Sequence, residues 1–236
     1  MLRGIAALLV LGFLLLALPH VGQLITSRPQ LSQDPALNHD PIAALARPAI
    51  VVIEAQSTAG LGMQIKKGTG FNIDRNGLII TNQHVLSGAE TVSISFVDGR
   101  RYYSNRWLQA GDVDIAVIDI QGHDLPTLDL NFNSVLQPGQ QVTVIGNPLN
   151  MERLIQKGLL ADFTAPAQGG KLAYIEVLVT AAPGLSGSPV VDEEGRVVAV
   201  VYAARKKTED NNTALAIPVK TIYDTLSQAL DRLGNR

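Results

Sequence analysis

The chain has no cysteine among its 236 residues, which excludes disulfides, thiolate metal sites and a cysteine nucleophile together. It also lacks an excess of charge of either sign. The formal net charge is −2, and the one basic cluster, Arg205 to Lys207, runs directly into Thr208, Glu209 and Asp210, so no basic stripe is offered to nucleic acid. His20, His39 and His123 stand at no metal-ligand spacing, and neither a metal nor a cofactor is expected. No stretch recurs at a fixed period, which excludes a solenoid or propeller. What the chain has in quantity is material for a core: 46% of its residues are hydrophobic and 17% charged, enough for one large core or two small lobes.

The N-terminus differs from the rest. Arg3 precedes an unbroken apolar run from Ile5 to Leu18, 14 residues with no polar face. That is short for a membrane span and suits the apolar region of a secretory signal. No small-x-small cleavage site follows it, which favours an uncleaved anchor over residues 1–25 with Arg3 on the cytoplasmic side. Either alternative, anchor or signal peptide, exports the remainder to an extracytoplasmic location. Residues 26–41 carry three prolines and no periodicity, as a linker does, so the folded domain is expected over 42–236.

From Ile42 onward the chain is a succession of short apolar or alternating runs, among them AIVVIEA, GLIITN, DIAVIDI, QQVTVIG and RVVAVVYA. Turn signals such as DRNG at Asp74, DGR at Asp98 and DEEG at Asp192 punctuate them, which predicts an all-β sandwich or pair of barrels rather than βαβ units. Only the end departs from this. Val219, Ile222, Leu226, Leu230 and Leu233 fall at helical spacing and predict a closing amphipathic α-helix.

The stretch APGLSGSPVVDEEG holds Ser186 between glycines on a turn, ahead of an apolar strand. A serine hydroxyl is a weak nucleophile; it needs a base, and the base needs a partner to fix its tautomer and stabilise the cation that forms. His84 follows a strand in IITNQHVLSGA, and Asp114 opens the strand DIAVIDI. Each alone is an ordinary structural residue. Together, histidine, aspartate and serine in that chain order make the chymotrypsin-type arrangement of a triad, with Asp112 and Asp119 as rivals for the acid.

Five segments carry a resemblance: residues 68–89, 112–120, 142–148, 183–201 and 214–222. In these, in order, the chain resembles the trypsin-like serine peptidases, and within them the HtrA (Deg) branch. The resemblance implies two six-stranded antiparallel β-barrels with a C-terminal α-helix, here preceded by the N-terminal hydrophobic helix, and His84, Asp114 and Ser186 as catalytic residues. It also implies an oxyanion hole from the N–H groups of Gly184 and Ser186, and extended substrate paired along Val201, Tyr202 and Ala203 by strand addition. The small and apolar residues flanking that pocket, with no acid among them, imply cleavage after small or medium aliphatic residues.

Two positions depart from the family. Leu185 stands where digestive relatives carry the aspartate that pairs with a new N-terminus on activation, so no zymogen of that kind is expected. Ser188 stands where glycine is usual and offers a second hydroxyl beside the first. HtrA-type enzymes commonly carry a PDZ domain after the closing helix; with none following here, the chain is read as protease-only, regulated through loops such as 204–213 or by forming a homo-oligomer. The expected function is an exported, membrane-anchored serine endopeptidase acting on unfolded or damaged polypeptides. The alternatives are an inactive, chaperone-like peptide-binding module and a dedicated processing protease.

Overall fold

The computed structural model describes residues 31–59, 62–164, 174–207 and 212–234. The apolar run Ile5 to Leu18 therefore lies outside the described residues, and no described helix is long and apolar enough to cross a membrane.

Ordered structure begins ahead of Ile42, inside the segment expected to be a linker. Asp34 caps a 3-10 turn over Pro35–His39, and Asp40 caps helix α1 (Pro41–Ala46), accepting from Ala43 N at 3.0 Å. The aspartates and prolines that read as linker punctuation are two helix starts, with the acid at the N-cap and proline in the first turn. The segment is tied to the body by Gln33, whose Oε1 accepts from Ile155 N (2.9 Å), and by Asp40, which pairs with Lys157. Burial pushes the Asp40 carboxyl up, but Lys157 and the helix amides outweigh it and hold the group below its ordinary range.

Two β units follow. In the first, β1 (Ile50–Ala59), β2 (Gly62–Asn72), β3 (Leu78–Thr81), β4 (Thr91–Ser95), β5 (Arg101–Ser104), β6 (Trp107–Gln109) and β7 (Ala116–Asp119) pair in the order β5-β4-β1-β2-β3-β7-β6. Seven strands stand where six were expected because one strand is bent. β5 and β6, at opposite edges of the sheet, are separated only by residues 105 and 106. At that corner the Ser104 hydroxyl donates to Asp119 O (2.6 Å) and accepts from Arg106 N (3.0 Å), while Asp119 N donates to Arg106 O. These bonds draw β5 toward β6 and β7 at the corner, but β5 and β6 do not pair, and the sheet stays a half-barrel. In the second unit, β8 (Gln141–Gly146), β9 (Leu154–Thr164), β10 (Tyr174–Val177), β11 (Pro189–Val191), β12 (Val197–Lys206) and β13 (Asn212–Pro218) close into a barrel in the order β10-β13-β12-β11-β8-β9.

Strand alternation divides the apolar residues among three cores. Val51, Ile53, Val92, Ile94 and Ile118 fill the first unit; Val144, Leu160, Ile175, Val190 and Ala199 fill the second. Between the units lie Ile50, Phe71, Ile115, Ile145 and Val200, joined by Leu226 and Leu233 of the closing helix α2 (Tyr223–Gly234). The apolar stripe read at helical spacing is thus the face that seals the joint between the two units. The fold is mostly β with a C-terminal helix, as the strand runs imply.

Candidate active site

His84 and Asp114 both belong to the first unit. His84 sits in a single helical turn (Gln83–Leu86) at the end of β3, and Asp114 lies just ahead of β7, the strand paired with β3. That pairing brings the two together. Asp114 Oδ2 meets His84 Nδ1 at 2.6 Å, and Asp114 Oδ1 accepts from the His84 backbone N at 2.8 Å. Asn82 Nδ2 donates to Asp114 O at 2.8 Å and holds the acid from behind. One carboxylate therefore grips both the ring and the main chain of the histidine. The rival acids stand elsewhere: Asp119 is buried and faces Arg106, and Asp112 is exposed on the preceding turn.

Ser186 belongs to the second unit, on two successive tight turns. Leu185 N donates to Ala182 O (3.1 Å) across Pro183 and Gly184, and Ser188 N donates to Leu185 O (3.0 Å) across Ser186 and Gly187. Gly184 has φ +96° and Gly187 +83°, so both are type II turns whose third residue must be glycine. An added Cβ at Gly184 would lie 2.4 Å from Asn147 O, and one at Gly187 2.0 Å from Thr69 O. The N–H groups around the serine divide cleanly: those of Leu185, Gly187 and Ser188 are hydrogen-bonded, whereas among the described residues those of Gly184 and Ser186 donate to nothing. Nor, among the described residues, does a hydrogen bond join the Ser186 hydroxyl to His84.

Ser188 is not beside Ser186, contrary to the expectation of a second hydroxyl in the same place. It is fully buried, its Oγ has no hydrogen-bond partner among the described residues, and it points into the second barrel toward Gly146, where an added Cβ would lie 2.1 Å away. The reason is the turn between them: the bond from Ser188 N to Leu185 O reverses the chain across Ser186 and Gly187, so the side chains at its two ends, Leu185 and Ser188, both face Gly146 while Ser186 sits at the bend. A buried hydroxyl without a partner costs about 1–3 kcal/mol. Ser188→Ala is accordingly expected to raise stability by about 1 kcal/mol, read as a higher urea midpoint at unchanged slope. A lowered midpoint would count against this.

A cavity of about 290 Å³ opens next to Ser186, lined by Ala181, Ala182, Pro183, Leu185, Val201, Ala203, Ala204 and Asn212. Of the three residues expected to bind substrate, Val201 and Ala203 are in its wall. Tyr202 is not. A register shift between Val201 and Ala203 turns Tyr202 away to stack on Tyr174, with ring centroids 4.5 Å apart. Burial pushes its phenol pKa up, and Tyr174 and the nearby Asp114 add to the effect. The backbone of Val201 is engaged within the barrel, its N–H with Ser188 O and its carbonyl with Gly187 N. Beyond Val201, β12 pairs among the described residues with β13 alone, since β11 reaches no further than Val200, which leaves one edge of β12 without a described strand partner beside the cavity. Among the described residues no cluster of acids and histidines is placed to hold a metal.

One residue of the site escaped the sequence reading. Thr69, on β2, holds the Ser186 turn from the opposite unit, donating N–H to Ser186 O (2.9 Å) and its hydroxyl to Gly184 O (2.8 Å). The G-T-G in GTGFNID marks β2 as closely packed, since added Cβ atoms at Gly68 and Gly70 would lie 2.7 Å from Val85 and 2.6 Å from Ile53, but it does not reveal what the Thr69 hydroxyl meets.

Comparison with known proteins bears on the family and the fold. The model of the trypsin-like peptidase domain matches residues 68–200, more than half the chain. The chain belongs to the trypsin-like peptidase family. Within that family it is 30% identical over 75% of its length to a DegP-like periplasmic serine endoprotease of Hahella chejuensis, and 24% identical over 99% of its length to the serine endoprotease DegS of Salmonella typhimurium. It spans 36% of the first relative's length and 68% of the second's. An HtrA-type peptidase, AlgW, solved with a tripeptide, matches with a TM-score of 0.71 at 23% identity, over 82% of this chain and 63% of that one. A protease of M. tuberculosis in its active form matches with a TM-score of 0.69 at 22% identity, over 84% and 88%. At these identities the two structures bear on the fold.

Proposed function

We propose that this chain is an exported serine endopeptidase. Ser186 attacks the scissile carbonyl, His84 takes its proton and returns it to the leaving amine, and water then hydrolyses the acyl-enzyme. Asp114 holds His84 in the tautomer with Nδ1 protonated. The two N–H groups of Gly184 and Ser186 bind the developing oxyanion, where one such donor is typically worth about 3–4 kcal/mol. The observation that carries this reading is the pairing of an acid-gripped histidine with a turn in which, among the described residues, the N–H groups of Gly184 and Ser186 donate to nothing.

The substrate is an extended polypeptide, added along the open edge of β12 with a small or medium aliphatic side chain in the cavity beside Ser186. Unfolded or damaged proteins supply such segments. A periplasmic relative and the apolar run Ile5 to Leu18 both support an extracytoplasmic location, with residues 1–25 as a membrane anchor and a linker that runs no further than Gln33. Recovery of a chain starting near Thr26 in the soluble exported fraction would replace the anchor with a signal peptide.

The full-length protein is expected to react with a fluorophosphonate probe, which modifies a serine only where base and oxyanion donors are assembled. Ser186→Ala should abolish labelling and Ser188→Ala should leave it intact. A folded wild type that fails to label, with and without an extended apolar peptide as activator, would favour the peptide-binding module.

A further inference from the structure

A planar trans peptide points its N–H opposite to the preceding carbonyl, so a donor is aimed by whatever holds that carbonyl and its neighbours. From Pro183 to Ser186 the carbonyls are all held. Pro183 O accepts from Leu149 N (2.8 Å) and Leu185 O from Ser188 N; the remaining two, Gly184 O and Ser186 O, are both held by Thr69. Thr69 lies 115 residues from Gly184 in sequence and in the other β unit.

The protons of that contact can be counted. A hydroxyl has one proton and two lone pairs. Asn147 N at 2.9 Å and Asn147 Nδ2 at 3.2 Å both approach Thr69 Oγ1, and both can only donate. The single hydroxyl proton therefore goes to Gly184 O, and the rotor has no alternative. Thr69 is fully buried, and its own carbonyl accepts from Thr81 Oγ1 at 2.7 Å. Thr81 closes β3, three residues ahead of His84. A continuous run of hydrogen bonds thus links the Ser186 turn through Thr69 to the strand that carries the histidine, and Asn147 extends it to Val51 O of β1.

Resting on the reading of Ser186 as nucleophile, we infer that Thr69 is a positioning residue: its hydroxyl and N–H lock the oxyanion turn of one β unit in register with His84 of the other. The joint also holds an apolar core, whose packing is non-directional, and hydrogen bonds from Asn147 to Val51 O and from Arg153 to Ile50 O and Ser95 O, which fasten other strands; among the described residues Thr69 alone bonds the first unit to the Ser186 turn. A misplacement of about 1 Å at such a site costs roughly a hundredfold in rate.

The test compares Thr69→Val, which keeps shape and removes the donor, with Thr69→Ser, which keeps the donor and removes the methyl, in the full-length protein. For Thr69→Val, fluorophosphonate labelling and kcat on an apolar peptide are expected to fall roughly 10- to 100-fold, with KM within about twofold of wild type. Thr69→Ser should return both to within a few-fold. Affinity for a peptide boronate, which needs the assembled oxyanion donors, should fall with kcat, while affinity for an uncleaved product peptide should not. If Thr69→Val does not fold, Thr69→Cys, with a thiol of similar size and weaker donation, carries the same comparison. Wild-type labelling in Thr69→Val, or in Thr69→Cys, overturns the role, as does a Thr69→Ser variant as slow as Thr69→Val. A wild type that does not label sinks the Ser186 reading itself and Thr69's role with it, whereas a wild type that labels no faster than Thr69→Val sinks the latter alone.

Discussion

Asp114→Asn should lower kcat/KM by about four orders of magnitude while leaving the fold intact. The geometry dictates which way the amide must turn. The His84 backbone N–H donates to Oδ1 at 2.8 Å and needs an acceptor there, so the asparagine oxygen stays on that side. The amide NH2 is then forced against His84 Nδ1, which stands 2.6 Å from the other carboxylate oxygen. A donor facing Nδ1 makes that nitrogen the acceptor and sends the ring proton to Nε2, the nitrogen that must receive the proton of Ser186. The base is lost through its tautomer, with no atom displaced. Ring nitrogen chemical shifts would report the exchanged tautomer, and labelling rates the lost reactivity. Asp112→Asn is the control, because Asp112 is exposed on the turn ahead of Val113. Damage from Asp112→Asn with a silent Asp114→Asn would mean that the acid has been wrongly assigned.

What was legible in the sequence follows the range over which each interaction acts. His84, Asp114 and Ser186 each sit in a local setting with its own signature: a strand end, a strand start, a turn with glycine two residues before and one after the serine. The strand runs and the helical stripe from Val219 to Leu233 are likewise local patterns, and each became an element. Proline and aspartate were ambiguous. They punctuate linkers and start helices alike, and at Asp34 to Pro41 only the contacts of Gln33 and Asp40 with β9 distinguish the two. The orientation of Tyr202 depends on a register shift between β12 and β13 that no residue of the strand announces, and the inward turn of Ser188 on the bare surface of Gly146, 42 positions earlier in the chain. Thr69 was illegible for the same reason. Its partners are Gly184, Ser186 and Asn147, and nothing in G-T-G indicates that a hydroxyl there will meet a turn in the other β unit.

That dependence on distant contacts makes the turn itself the most sensitive target after the triad. Gly184→Ala is expected to lower kcat by about two to three orders of magnitude, the range lost when one oxyanion donor is removed. Two effects act together. At φ +96° an L-residue is strained, so alanine favours a rotated Pro183–Gly184 peptide, and rotating that peptide swings the Gly184 N–H away from the oxyanion. The added Cβ would also lie 2.4 Å from Asn147 O, a backbone atom that cannot move aside alone, because Asn147 is itself bound to Thr69, Val51 and Arg153. The cavity walls at Val201 and Ala203 are untouched, so KM should stay close to wild type. The split distinguishes a lost donor from a lost binding site. Boronate affinity should fall in step with kcat while product-peptide affinity holds; equal losses in both, or a kcat within threefold of wild type, would show that the Gly184 N–H carries no charge in the transition state.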